Sequence, residues 1–228
     1  MKYTAIIFDL FGTLVDNFSV REYFSVLDRM AHILGVPAKE FRQVWRDAFN
    51  ERSTGALGHD GNNYRVLCEK LGVTPGDEQI AEAHRVRLDF TIKSLQPRPD
   101  TIATLETVRQ RGLKTALVSD CTEEVPAIWQ ETPFAPLFDV TVFSCVAGFK
   151  KPDPRIYRLA TDGLGVRPEE CLYVGDGSST ELTGARKVGM HPVLIIDPGE
   201  TVDTHYIQRE ENWDGPRISY LREVLDLI

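Results

Sequence analysis

From residue 101 onward the chain alternates between two periodicities, and that alternation limits its fold more than any other feature. A helical stripe over 101–111 is stopped by Gly112, and an apolar, β-rich run follows at 114–118. A short helix over 123–130, distorted at its start by Pro126, leads to a second run at 140–143. A helix over 154–164 stopped by Gly165 precedes a run at 172–174, and a helix over 178–188 precedes one at 192–196. A helix over 218–227 closes the chain. Strands separated by helices predict an α/β fold with a doubly wound parallel sheet, a Rossmann-like core. Residues 2–8, with Tyr3, Ile6, Ile7 and Phe8, form one more apolar run without strict alternation, as expected of a strand buried on both faces.

Between that first strand and residue 97 the pattern is helical throughout. Val20, Tyr23, Phe24, Leu27 and Met30 recur at helical spacing until Gly35 and Pro37 end the stripe. Phe41, Val44, Trp45, Ala48 and Phe49 form a second stripe. Residues 64–71 and 79–95 give two more, and residues 53–63, rich in Gly, Ser, Asp and Asn, read as a loop. Gln96-Pro97-Arg98-Pro99 punctuates the change back. The expected organisation is a core of residues 1–16 and 97–228 with an inserted α-helical domain over 17–96. Residues 197–216 read as irregular surface.

Composition excludes several classes. The 228 residues are 42% hydrophobic and 26% charged, ordinary for a globular protein long enough to bury a sizeable core. The net charge of −8 and the lack of a basic block argue against nucleic acid. No window approaches the roughly 18 apolar residues of a membrane span, so no membrane association is expected. Asp9 interrupts the N-terminal apolar run and no small-residue cleavage site follows, so that run reads as a strand rather than a signal peptide. Cys68, Cys121, Cys145 and Cys171 are dispersed without a CxxC pair, which suits buried free thiols and a cytoplasmic location. A monomer or homodimer is expected.

In open parallel sheets ligands bind beyond the carboxyl ends of the strands. Asp9 and then Phe11-Gly12-Thr13 follow the first strand, and Ser119 and Asp120 follow the second. Lys150-Lys151-Pro152-Asp153 precedes the helix after the third, and Gly175-Asp176-Gly177 leads to Glu181 after the fourth. Crowded carboxylates call for a cation, and oxygen ligands favour a hard ion such as Mg2+. A lysine beside them binds phosphate as a point charge, and an aspartate can then attack the phosphoryl group to form an aspartyl-phosphate.

The run Phe8-Asp9-Leu10-Phe11-Gly12-Thr13-Leu14-Val15-Asp16 resembles the first motif of the haloacid dehalogenase-like hydrolase superfamily. Ser119 matches the second, Lys151 in Lys-Pro-Asp-Pro the third, and Gly175-Asp176 with Glu181 the fourth. The resemblance spans the chain, and residues 17–96 stand where that family carries a small helical cap. It implies a hydrolase acting on a phosphorylated small molecule, with Mg2+ as cofactor. Asp9 would be nucleophile and metal ligand, with the Phe11 carbonyl and Asp176 as further ligands. Ser119, Asp120 and Lys151 would bind substrate, Lys151 would bridge Asp9 and the phosphoryl group, Thr13 would support the nucleophile loop, and Glu181 would act from behind the ligands or through water.

One departure stands out. The phosphatase branch usually carries an aspartate, as general acid and base, where this chain has Phe11. Losing that function typically costs about 10²–10⁴ in rate, least where the leaving group needs no proton. Three readings follow: a phosphatase for a good leaving group or with another donor (Asp120, Glu123 or a cap residue), a metal-free dehalogenase, or a binding or regulatory protein with a weakened site. The dehalogenase branch tolerates an aromatic residue at this position, but its fourth motif resembles Ser-Ser-Asn rather than Gly-Asp-Gly. In the helical stretch Arg21, Arg46, Arg52, His59 and Lys93 could touch substrate, although a solvated helix face is the expected place for each. Tyr64 and Trp45 read as core of that stretch, Cys121 as packing and Lys150 as solvated.

Overall fold

A computed structural model of the chain describes residues 3–199, 209 and 212–228. The chain runs β1 (Ala5–Phe8), α1 (Val20–Leu34), α2 (Ala38–Asp47), α3 (Phe49–Ser53), α4 (Asn62–Glu69), α5 (Asp77–Ser94) and α6 (Thr101–Gln110). It continues with β2 (Lys114–Ser119), α7 (Glu124–Ile128), β3 (Val140–Phe143), α8 (Ser144–Ala147) and α9 (Pro154–Leu164). β4 (Cys171–Gly175), α10 (Glu181–Lys187), β5 (His191–Ile195) and β6 (Arg217–Ile218) complete it.

The strands form one sheet in the order β3-β2-β1-β4-β5-β6, every neighbouring pair parallel. Side chains alternate across it. Ile6 and Phe8 of β1, Leu117 of β2, and Leu172 and Val174 of β4 join Leu105, Val108, Trp129 and Leu221 on one face. Ala5, Ile7, Ala116, Val118 and Tyr173 join Ile156, Tyr157, Ala160 and Leu182 on the other. Both faces are dry, which explains why these strands read as apolar runs without alternation. The chain leaves β1 toward β2 and β3, then returns to β1's other side with β4. The crevice of a doubly wound sheet opens at that reversal.

The helices α1, α2, α4 and α5 pack around a separate apolar cluster that includes Leu27, Met30, Phe41, Trp45, Tyr64 and Ile80. The two strands of chain that join this layer to the sheet lie side by side. Arg98 N donates to Leu14 O (3.0 Å), and the Arg98 guanidinium donates to Asp16 Oδ1 (2.8 Å) and Gly12 O (2.9 Å). All four cysteines are buried and unpaired, and no described helix is long and apolar enough to cross a membrane.

Three element readings need correction. The closing helix is instead the edge strand β6 followed by a 3-10 helix over Leu221–Asp226. Its buried residues Ile218, Leu221 and Val224 recur every three positions, a spacing that a 3-10 turn satisfies as well as an α-helix. The stripe through Phe41–Phe49 breaks at Ala48, and α3 starts afresh with Phe49 exposed rather than in the helical core. The helix expected from 178 begins only at Glu181, because Ser179 and Thr180 adopt left-handed backbone angles. Of the segment 197–216, the described part is irregular; the rest lies outside the described residues.

Candidate active site

Asp9 sits one residue past β1, between the ends of β2 and β4, and is 4% exposed. Its amide donates to Val174 O (2.9 Å), which continues the β1–β4 ladder into the loop. The chain then turns sharply: Leu14 and Val15 amides both return to Leu10 O, at 2.9 and 3.1 Å. Gly12 takes φ +76°, and a Cβ there would run into the Asp176 carboxylate. The position therefore requires glycine twice over, for its backbone angle and for the close approach. The turn brings Thr13 Oγ1 to donate to Asp9 Oδ2 at 3.3 Å.

Lys151 reaches the same point from the turn before α9. Its Nζ donates to Asp9 Oδ1 (2.5 Å) and Glu181 Oε2 (2.6 Å), and the side chain is 1% exposed. Burial opposes its charge, but Asp9, Glu181 and Asp120 hold its pKa well above the ordinary lysine value. Glu181 is fully engaged. Oε2 also accepts from Tyr173 (2.7 Å), Oε1 accepts from Gly177 N (3.0 Å), and its backbone carbonyl accepts from Tyr157 (2.9 Å). A Cβ at Gly175 would collide with this carboxylate. Ahead of α10 the amides of Gly177 and Ser178 donate to the Glu181 and Asp176 carboxylates.

Asp176 completes the group. One carboxylate oxygen each from Asp9, Asp176 and Glu181 lie within 4.8 Å of one another, all buried. Asp176 Oδ1 accepts from Ser178 N (2.9 Å). Among the described residues, Oδ2 receives only long contacts, from Arg209 (3.2 and 3.4 Å) and Asn17 (3.4 Å). A charge-assisted hydrogen bond is normally about 2.7–2.9 Å, so this oxygen is loosely held. Burial, with Asp176 adding and Lys151 opposing, pushes Asp9 up to about 6. Burial, again against Lys151, pushes Glu181 up to about 8. The carboxylates outnumber the cations that touch them, and Asp9 and Glu181 are accordingly reluctant to ionise together.

Asp120 is half-buried at the end of β2. Its Oδ1 accepts from Lys151 N (2.9 Å), while Oδ2 has no hydrogen-bond partner among the described residues. Ser119 Oγ is likewise buried and unpartnered among them. A cleft of about 430 Å³ opens above Asp9, Asp120 and Lys151. Phe11 lines it and starts an aromatic wall: its ring packs edge-on against Phe18 (5.9 Å), which stacks on Tyr23 (5.0 Å) and meets Phe90 edge-on (5.6 Å).

The structure thus brings Asp9, Thr13, Ser119, Asp120, Lys151, Asp176 and Glu181 to one rim, with Ser119, Thr13, Asp176 and Glu181 behind the cleft surface. Arg21, Arg46 and Lys93 are solvent-exposed, and His59 is exposed with Nδ1 3.9 Å from Glu123 Oε2. Arg52 departs from its expected solvated place: it is 4% exposed and lines the cleft. Lys150 also lines it, its ammonium 5.0 Å over the Phe49 ring. Arg87, Arg209, Asn17 and Tyr173 escaped sequence reasoning altogether. Arg87, Arg209 and Asn17 act through contacts with segments distant in sequence, and Tyr173 through its hydroxyl on Glu181 in the next helix; no local pattern marks them.

The family profile of haloacid dehalogenase-like hydrolases matches residues 3–189. The chain is 31% identical over 180 residues to haloacid dehalogenase-like hydrolase domain-containing protein 3 of Bos taurus, covering 74% of this chain and 72% of that protein. It is 30% identical to (S)-2-haloacid dehalogenase 4A of Burkholderia cepacia, covering 86% and 84%. Among solved structures, the HAD phosphatase from Thermococcus onnurineus matches with a TM-score of 0.69 at 27% identity, covering 98% and 97%.

Proposed function

The chain belongs to the haloacid dehalogenase-like hydrolase family, and on that premise we propose that it is a magnesium-dependent phosphatase for a small molecule, with Asp9 as nucleophile. One observation carries this reading: Lys151 Nζ bridges Asp9 and Glu181 at 2.5 and 2.6 Å while Asp176 crowds the same point. The donor set suits the ion. It is oxygen-only, as Mg2+ prefers; the loosely held Asp176 Oδ2 is free to be recruited; and the excess negative charge asks for a cation. Asp9, Asp176 and the Phe11 carbonyl would hold it. Glu181, with both oxygens already engaged, would anchor Lys151 instead of ligating. When bound, the ion neutralises phosphoryl oxygens so that an anionic carboxylate can approach them.

The chain's own residues do the rest. Lys151 keeps Asp9 oriented and neutralises charge on the arriving phosphoryl group. Thr13 fixes the second Asp9 oxygen. Ser119 has a hydroxyl unpartnered among the described residues and able to donate to a phosphoryl oxygen, and Asp120 Oδ1 accepts from Lys151 N and so holds the turn that delivers Lys151. Phe11 cannot move a proton, so the leaving group departs unprotonated or takes its proton elsewhere. Asp120 lines the cleft and is the candidate for that role, whereas Glu123 is not among the cleft-lining residues. The helical layer over residues 17–96 acts as the cap that closes over the cleft.

The metal-free dehalogenase reading draws on the aromatic Phe11 and on the Burkholderia cepacia relative. Against it stands Asp176, 1% exposed, a charge such chemistry would leave without a role. Hydrolysis of an aryl phosphate and an acyl phosphate, with and without Mg2+, tests the proposal. Turnover that needs Mg2+ and Asp9 is expected. Halide release from a 2-haloacid in the presence of chelator would replace it with the dehalogenase. Metabolite binding without turnover would favour a regulatory role.

A further inference from the structure

The far wall of the cleft carries positive charge that nothing at Asp9 requires. Arg52 of α3 and Arg87 of α5 both line it, at 4% and 8% exposure. The Arg52 guanidinium lies 3.8 Å over the Trp45 ring, and Nη2 donates to Trp45 O (3.0 Å), but Nε has no partner among the described residues. The Arg87 guanidinium lies over Tyr23 and Phe90 (5.4 and 5.2 Å), with Nε and Nη1 unpartnered among them.

The acids nearby do not balance this pair. Glu124 approaches Arg87 Nε at 3.8 Å, but its oxygens already accept from Tyr64 (2.9 Å) and Thr122 (2.5 Å). Glu123 turns away to Asp60 N (2.8 Å) and toward His59. One engaged carboxylate therefore faces two guanidiniums. A guanidinium does not deprotonate in a protein, and a buried, unpaired charge with unmade hydrogen bonds is costly. Such a cost is tolerated where a ligand removes it. The fork of an arginine suits a carboxylate, and the wall between these arginines and Asp9 is aromatic.

We propose that Arg52 and Arg87 form an anion subsite that binds a carboxylate at the far end of the substrate, so that the preferred substrate is an aromatic or apolar phosphate ester bearing a second acid group. The phosphoryl end of this assignment rests on the phosphatase reading; the anion subsite does not.

The test compares aryl phosphates that carry a carboxylate on tethers of graded length, each beside its neutral amide. In the wild type the best acid is expected to exceed its amide by about tenfold or more in kcat/KM, chiefly through KM. That preference should fall close to unity in Arg52→Gln and be partly kept in Arg52→Lys. Equal hydrolysis of acid and amide throughout the series overturns the subsite and leaves the phosphatase standing. So does an Arg52→Gln protein that loses acid and amide alike, because Arg52 would then only hold the cleft together. If no ester is hydrolysed above Asp9→Asn, the phosphatase reading fails and calorimetry with hydrocinnamate decides the subsite. Binding that Arg52→Gln abolishes supports it, and no binding to the wild type overturns it.

Discussion

The two walls of the cleft treat charge in opposite ways. At the sheet edge Lys151 and Glu181 are fully engaged: the ammonium bridges two carboxylates, and Glu181 accepts from three donors. On the helical wall Arg52 and Arg87 keep buried N–H groups that nothing among the described residues accepts. The Lys151–Glu181 pair is held on every side. The helical wall is organised for something that arrives. On the proposed function the sheet edge would set the reaction and the helices its substrate, one site built on two layers with separate cores.

The largest effect expected is on the rim. Asp9→Asn should lower phosphate hydrolysis by at least about 10³-fold, while Arg52→Gln should leave most of the rate on a simple aryl phosphate to be measured; comparable losses in kcat would erase the distinction between the walls. Next comes Phe11→Asp, which supplies the missing proton donor. Esters with poor leaving groups should turn over faster by roughly tenfold or more, within the range of about 10²–10⁴ for general acid catalysis. No acceleration would mean that another group, Asp120 foremost, already serves.

Stability should divide the walls as well. Lys151→Met leaves Asp9 and Glu181 buried without their ammonium and should cost roughly 3–5 kcal/mol in urea unfolding with chelator present. Arg52→Gln gives up one hydrogen bond and an unpaired charge and should cost about 1 kcal/mol or less. The reverse order would make Arg52 the structural residue and Lys151 the expendable one.

The smallest effect concerns Glu124, which joins the two layers. Burial works against its charge, but Arg87, Thr122 and Tyr64 override it and hold its pKa below the ordinary carboxylate value. A depressed folded pKa contributes stability above the unfolded value and loses it as pH falls through the folded one. The stability gap between wild type and Glu124→Gln should therefore be largest near neutral pH and shrink below about pH 4. A gap that widens in acid would show that Glu124 is not held ionised.

The same division governs what the sequence reveals. Asp9, Ser119, Asp120 and Asp176 follow apolar strands directly, and Lys151 and Glu181 stand in short runs around helix starts, so local pattern suffices to single them out. The strands themselves are legible because both faces are buried. Arg87 is one of two arginines on a long helix, and the neighbours Tyr23, Phe90 and Glu124 set it apart. Arg209 lies in a stretch with no periodicity. Ser179 and Thr180 adopt left-handed angles without the glycine or asparagine that would signal them in the sequence. The 3-10 helix at the C-terminal end escapes because a three-residue repeat of apolar side chains does not distinguish it from an α-helix.

On the proposed mechanism Asp9 takes the phosphoryl group. Acid-quenching the protein during turnover of an acyl or aryl phosphate with Mg2+, followed by peptide mapping by mass spectrometry, tests it directly. The expected result is one phosphoryl group on the peptide containing Asp9, absent with chelator and absent in Asp9→Asn. Sustained turnover by an Asp9→Asn protein, with no phosphoryl group ever found on the wild-type peptide, would contradict it.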